Sequence, residues 1–142
     1  MASVFEAVLA RVEIVLAGAT DAGTHVFRGR ADAFDAADLP AINVRRTNTV
    51  GDVIGTGGER HVIEFEIECI AAGADYETDA DALHMQAHAL LLADAALAAR
   101  GRGLRCTGTE LAADSADAPA GRITARYQMQ VFVRPGDLAV AV

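Results

Sequence analysis

The chain contains no lysine and no tryptophan, and it has only two cysteines and no long apolar run. A membrane helix needs roughly 18 consecutive apolar residues, and Glu13 interrupts the longest candidate, residues 12–18. The first residues lack the basic start and the small-residue cleavage site of a secretory signal. We therefore expect no membrane association and a cytoplasmic location.

The two cysteines bear on disulfide formation, and the exclusive use of arginine as the basic residue also needs an explanation. Cys69 and Cys106 lie in strand-like runs, and a reducing compartment favours two buried free thiols over a disulfide. All 12 basic residues are arginine, which a GC-rich coding bias explains most simply. The alternative is that guanidinium groups serve at interfaces.

The acidic balance argues against broad attraction to nucleic acid or to an anionic membrane. The formal net charge is −8, from 20 acidic and 12 basic residues. The 142 residues, 52% of them hydrophobic and 23% charged, are enough for one globular domain over residues 1–142 but not for two.

The first half of the chain predicts a helix followed by strands. Residues 2–17 have helical spacing of apolar residues, with Ser3 as the cap. Further along we expect these segments: a strand at 25–28, a loop or single helical turn at 31–40, a strand at 41–47 and a flexible loop at about 48–59. The loop prediction rests on four glycines and few large side chains, which place a mobile hairpin tip there.

The second half predicts a strand, a long helix and a long last strand. In residues 60–70, apolar side chains alternate with Glu64, Glu66 and Glu68. Thr78 is the predicted cap of a helix that reaches about Arg100. The remaining segments are a short strand at 104–111, a turn region at 112–121, a strand at 122–133 and a loose tail at about 135–142.

This order predicts an α/β (α+β) fold. Two-faced strands suit a single mixed, mostly antiparallel sheet of four to five strands, covered on one side by two helices.

The residue types that catalysis needs do not form a convincing set. His84 and His88 have the i, i+4 spacing of metal ligands, but no third ligand is evident, so partly buried or exposed histidines are the favoured interpretation. Acidic residues at the start of the second helix are favoured there by the positive end of the helix dipole. A weak divalent-ion site at Asp79 and Asp81 is the alternative. We expect neither an enzyme nor a cofactor.

Charged side chains on the sheet faces are the remaining candidates for function. Opposite charges on neighbouring strands would face each other, and the face could be solvated or could contact another subunit. The candidates for a subunit or tube interface are Arg45, Arg46, Glu64, Glu66, Glu68, Arg122, Arg126 and Arg134.

One stretch, residues 26–44, carries a resemblance to a known family. It contains a Gly-Arg step at Gly29-Arg30, a Phe-Asp step at Phe34-Asp35 and an acidic residue followed by Leu-Pro-Ala at 38–41. These steps resemble the minor tail protein U family, the tail terminators of long-tailed phages and phage-like particles. A Glu-rich strand, an acidic cap before a long helix and a final Tyr-containing strand follow in that family's order, whereas residues 48–59 and 100–121 have no counterpart.

The resemblance implies a structural virion protein and no catalysis. It implies a homo-oligomer, a hexameric ring on the tail tube protein that ends tail polymerisation and presents a surface to the head-tail connector protein. DNA would only pass through the lumen, and the protein would be in the host cytoplasm during assembly and in the virion tail afterwards. Two alternatives stay open: another ring-forming neck or tail-completion protein, and a small α/β enzyme or ligand-binding domain.

Overall fold

The computed structural model describes residues 2–53, 57–114 and 119–142. The helices are α1 (Val4–Leu16), α2 (Tyr76–Ala93) and α3 (Ala95–Ala98). The strands are β1 (Val26–Arg28), β2 (Ala41–Val53), β3 (Glu59–Ala72), β4 (Arg102–Asp114), β5 (Ala120–Arg134) and β6 (Asp137–Ala141), and a 3₁₀ turn covers Ala36–Asp38.

Within these residues the six strands form one mixed sheet with the order β1-β2-β3-β5-β4, and β6 pairs with the end of β5. Only β1 and β2 run parallel, and every other described pair is antiparallel. The predicted fold class is confirmed. The sheet has more strands than the four to five expected, because the predicted tail forms β6.

The core lies between one face of the sheet and the helices α1 and α2. On β3 the residues Ile63, Phe65 and Ile67 are buried, and on β5 Tyr127 and Met129 are buried opposite them. Helix α1 contributes its buried face to the same cluster, and so does α2: Val4, Phe5, Val8, Leu9, Val12, Leu16, Leu83, Ala87 and Leu91. The alternation of these strands in the sequence therefore predicted the correct buried face.

The long second helix differs from its predicted bounds at both ends. It begins at Tyr76, after Asp75, so Thr78 lies inside the helix and does not cap it. It ends at Ala93, because the side chain of Asp94 accepts the backbone N–H of Leu97 at 2.7 Å and starts the separate short helix α3. Arg11 of α1 donates to the same carboxylate at 2.8 Å, which fixes this helix junction against α1.

The predictions of a flexible loop at about 48–59 and of a loose tail at about 135–142 are wrong. Residues 48–53 continue β2 and Glu59 begins β3, because backbone pairing with β3 holds even Gly51, which faces His61. The tail forms β6, which pairs with the end of β5: Ala141 lies opposite Val133 and Asp137 lies opposite Arg134. The backbone N–H of Val142 also donates to the carbonyl oxygen of Phe132 at 3.1 Å. Of the rest of the predicted loop, residues 54–56 lie outside the described residues, and Gly57 and Gly58 belong to no strand.

The turn region expected at 112–121 is also shorter than predicted. Strand β4 reaches Asp114 and β5 begins at Ala120, while residues 115–118 lie outside the described residues. Of the two thiols, Cys69 is buried and Cys106 is only partly buried, since β4 lies at the sheet edge; both are free. None of the helices in the described part of the chain is long and apolar enough to cross a membrane.

Phe65 tests the buried face of β3. Its ring is 1% exposed and stacks on Tyr127 with 5.4 Å between the centroids. We expect Phe65→Ala to lower the free energy of unfolding by about 3 to 5 kcal/mol, because the change removes contacts and leaves a cavity. Urea unfolding measures this loss, and a variant that melts within about a degree or two of the parent would show that the assigned face is wrong.

Candidate assembly interface

The predicted charged row of β3 lies on the sheet face opposite the helices. In the register of β3 with β5, Glu66 faces Arg126, Glu68 faces Thr124 and Glu64 faces Gln128. The neighbouring strands that the sequence suggested as partners are therefore adjacent.

Glu68 is the centre of a polar network on this face. Glu68 is only 5% exposed, although its neighbours on this face are polar. The carboxylate accepts from Arg122 Nη1 at 2.7 Å and from Asn43 Nδ2 at 2.9 Å, and Arg45 Nη1 lies 3.5 Å away. A buried carboxylate is unfavourable unless it is paired and hydrogen-bonded, and these contacts from β2 and β5 supply both to Glu68.

The connection between β1 and β2 covers this network. Asn43 is 1% exposed, and its amide donates to the carbonyl oxygen of Arg30 at 2.9 Å while its Oδ1 accepts the Arg30 N–H at 3.0 Å. One side chain thus satisfies the backbone of the connection and the carboxylate of Glu68 together. Since the connection runs over the sheet face that has no helix, it buries one end of that face.

Arg30 fixes the shape of the same connection. Its guanidinium carbon lies 4.8 Å from the ring centre of Phe27 and 4.3 Å from that of Phe34, which are cation–π distances. Its Nη2 donates to Asp38 at 3.1 Å. The pKa of Asp38 is lowered, first by the backbone N–H of Asp35 and further by Arg30, against the opposing effect of burial.

The other predicted interface residues are less closely joined. Arg45 lies 3.9 Å from Glu66, and Arg126 pairs with Glu110 of β4 at 3.1 Å. Arg46 lies apart from the network, with its guanidinium 4.9 Å from the ring centre of Phe5. Among the described residues, neither Glu64 nor Arg134 forms an ion pair. The structure joins Arg45, Glu66, Glu68 and Arg122 within one chain, and their role between subunits stays a prediction.

The two acids considered for a divalent ion do not converge. Asp79 and Asp81 are two residues apart on α2, so their side chains project from different sides of the helix. Asp79 lines a cleft with Asp21 and Pro40. No group of three or more possible metal ligands occurs in the part of the chain that the structure describes.

The histidine pair of α2 belongs to a hydrogen-bonded cluster that the sequence analysis missed. His84 Nε2 lies 2.9 Å from the hydroxyl oxygen of Tyr127, and His88 Nδ1 lies 2.8 Å from it. Tyr127 is fully buried, so its hydroxyl needs a partner inside the protein. Because Tyr127 lies on the buried face of β5, the spacing of two histidines on the covering helix was a signal that could have suggested this contact.

Burial changes the acid–base properties of this cluster. It raises the pKa of Tyr127 well above the usual value, and the nearby Cys106 and Cys69 add to the effect. It lowers the pKa of His84, as does the neighbouring His88, while Asp81 acts in the opposite direction. Burial also raises the pKa of the Cys69 thiol to about 12, which keeps the sulfur protonated and unreactive.

Comparison of the sequence with protein-family models gave no match, and comparison with curated proteins gave none either.

Glu68 and Glu64 form a matched pair for testing the network. Glu68→Gln removes the buried charge opposite Arg122 and Arg45, so we expect the free energy of unfolding to fall by about 1 to 3 kcal/mol. Glu64→Gln removes the same charge from a neighbouring position with no arginine partner among the described residues, and we expect less than about 0.5 kcal/mol. Equal losses in chemical denaturation would contradict a network centred on Glu68.

The lowered pKa of His84 predicts weaker folding in acid. The unfolded chain binds a proton at this group near pH 6.5, whereas the folded chain binds it only at lower pH. The contribution of His84 to the free energy of unfolding is therefore complete above pH 6.5 and is lost as the pH falls through that value towards the pKa of His84 in the folded chain. Urea unfolding between pH 7.5 and 5.5 should show this loss, and His84→Asn should reduce the slope; an unchanged slope would exclude His84 as its source.

Proposed function

We propose that the protein is a tail terminator, a structural subunit that forms a ring on the end of a phage or phage-like tail tube. The observation that carries this proposal is the family-like stretch at residues 26–44. In the fold this stretch is one packed unit: Arg30 lies between Phe27 and Phe34, and Asn43 joins the unit to Glu68 of β3. The residues that resemble the family are thus those that shape and anchor the connection between β1 and β2.

The distribution of charge also supports a structural role. Several arginines of the sheet face that lies opposite the helices form ion pairs within the chain, as in Arg122–Glu68 and Arg126–Glu110. The chain as a whole keeps its formal charge of −8, and a hexameric ring would carry six times this, −48. A ring of that charge suits a lumen through which DNA passes without binding.

Direct observation of the particles tests the proposal. Native mass spectrometry should give a mass of six 14.8 kDa chains, and negative-stain electron microscopy should show annular particles. Added to polymerising tube protein from the same particle, the protein should cap tubes and stop their growth. A purified protein that stays monomeric and leaves tube length unchanged would contradict the proposal, and rings that do not affect tube length would favour a neck protein instead.

A further inference from the structure

Strand β4 leaves a long sheet edge open. It pairs with β5 on one side, and no other strand in the described residues pairs with its second side. The irregular register is confined to the first half of β4, before Gly108. From Gly108 to Asp114 the pairing with β5 is regular, and residues 107–113 are all exposed. This half of β4 is a regularly paired strand whose second edge has no partner strand among the described residues.

The features that usually protect such an edge are missing from this half of β4. Residues 107–113 contain no proline and a single charged residue, Glu110. Arg126 pairs with that carboxylate at 3.1 Å, so the charge already has a partner on β5. Leu111 at the centre of the segment is 47% exposed. Unpaired N–H and C=O groups in a strand with little charge and no proline are a template for another strand.

The opposite edge of the same sheet offers a matching strand. Strand β1 pairs in parallel with β2, and among the described residues it has no strand on its other side. The three antiparallel steps from β2 through β3 and β5 to β4 make β1 antiparallel to β4. A second copy placed beside β4 in a continued sheet therefore presents β1 in the antiparallel direction.

We propose that the open edge of β4, residues 108–114, pairs with β1 of a second copy of this chain. The charges do not oppose this contact, because β1 carries the basic Arg28 and the β4 segment is acidic, although Arg28 and Glu110 already pair within the chain with Glu6 and Arg126. The segment is longer than the three residues of β1, so it can pair with the whole of that strand. A contact between two different surfaces of identical copies is heterologous, and its repetition closes a ring when the rotation fits. The inference rests on the proposed ring and names the surfaces that would close it.

A lysine in the middle of the edge tests the pairing. Leu111→Lys places a charge and a long side chain at the centre of the contact, and we expect assembly in sedimentation equilibrium to weaken at least about tenfold. Since Leu111 is 47% exposed, the melting temperature should stay close to that of the parent. Leu92→Lys on α2 is the control, because Leu92 is 45% exposed and lies away from the edge.

Amide hydrogen exchange gives a second readout that does not depend on a variant. Residues 108–114 and 26–28 should gain protection together in the assembled protein. The pairing is overturned if the parent is monomeric at every concentration measured, if Leu111→Lys assembles like the parent, or if the two segments gain no protection. Annular particles that tolerate Leu111→Lys would refute the edge contact and leave the proposed function standing. Assemblies that are lost in Leu111→Lys but are not annular would refute the proposed function and support the contact.

Discussion

A buried carboxylate constrains how the sheet and its connections fit together. Glu68 lies on the sheet face that has no helix, yet it is 5% exposed, so its charge must find partners within the chain. Those partners come from β2 and β5, the strands on either side of β3, and Asn43 extends the network to the backbone of the β1–β2 connection. The position of that connection is therefore coupled to the register of three strands.

The two faces of the sheet are stabilised in different ways. On the helix side, apolar packing dominates, and the buried phenol of Tyr127 is satisfied by two histidines of α2. On the other side, ion pairs within the chain use the charged groups that first suggested a contact between subunits, such as Arg122 with Glu68. Many of the charged groups thus have partners within the chain, whereas the outer edges of β1 and β4 have no partner strand among the described residues.

Strand alternation was enough to predict most of the fold, because burial on one face imposes a period of two on the sequence. The buried sides of β3 and β5 and the helix face of α1 follow that rule. The predictions failed where a long-range contact overrides local preference. Gly51 favours a loop by itself, but the ladder with β3 keeps it in a strand, and the apolar tail is held by β5.

The sequence was enough to predict which charged residues share a sheet face, but not which of them contact each other. Alternation placed Glu64, Glu66 and Glu68 on one face, but it did not show which of them is buried and paired. Only the fold distinguishes Glu68, which the β1–β2 connection covers, from Glu64, which has no ion-pair partner in the described part of the chain. The contact between Tyr127 and the histidines depends in the same way on how α2 crosses β5, which the local sequence does not encode.

The arginines bear on the kind of force that would hold copies of this chain together in the proposed ring. Seven of the 12 form ion pairs within the chain among the described residues: Arg11, Arg28, Arg30, Arg45, Arg60, Arg122 and Arg126. The excess charge that remains is acidic, so two copies repel each other at long range. Salt screens that repulsion over a Debye length of roughly 8 Å at physiological ionic strength. Backbone hydrogen bonds along a strand edge and the apolar surface of Leu111 act at contact and need no net attraction of charge, which makes them suited to joining subunits of the same sign.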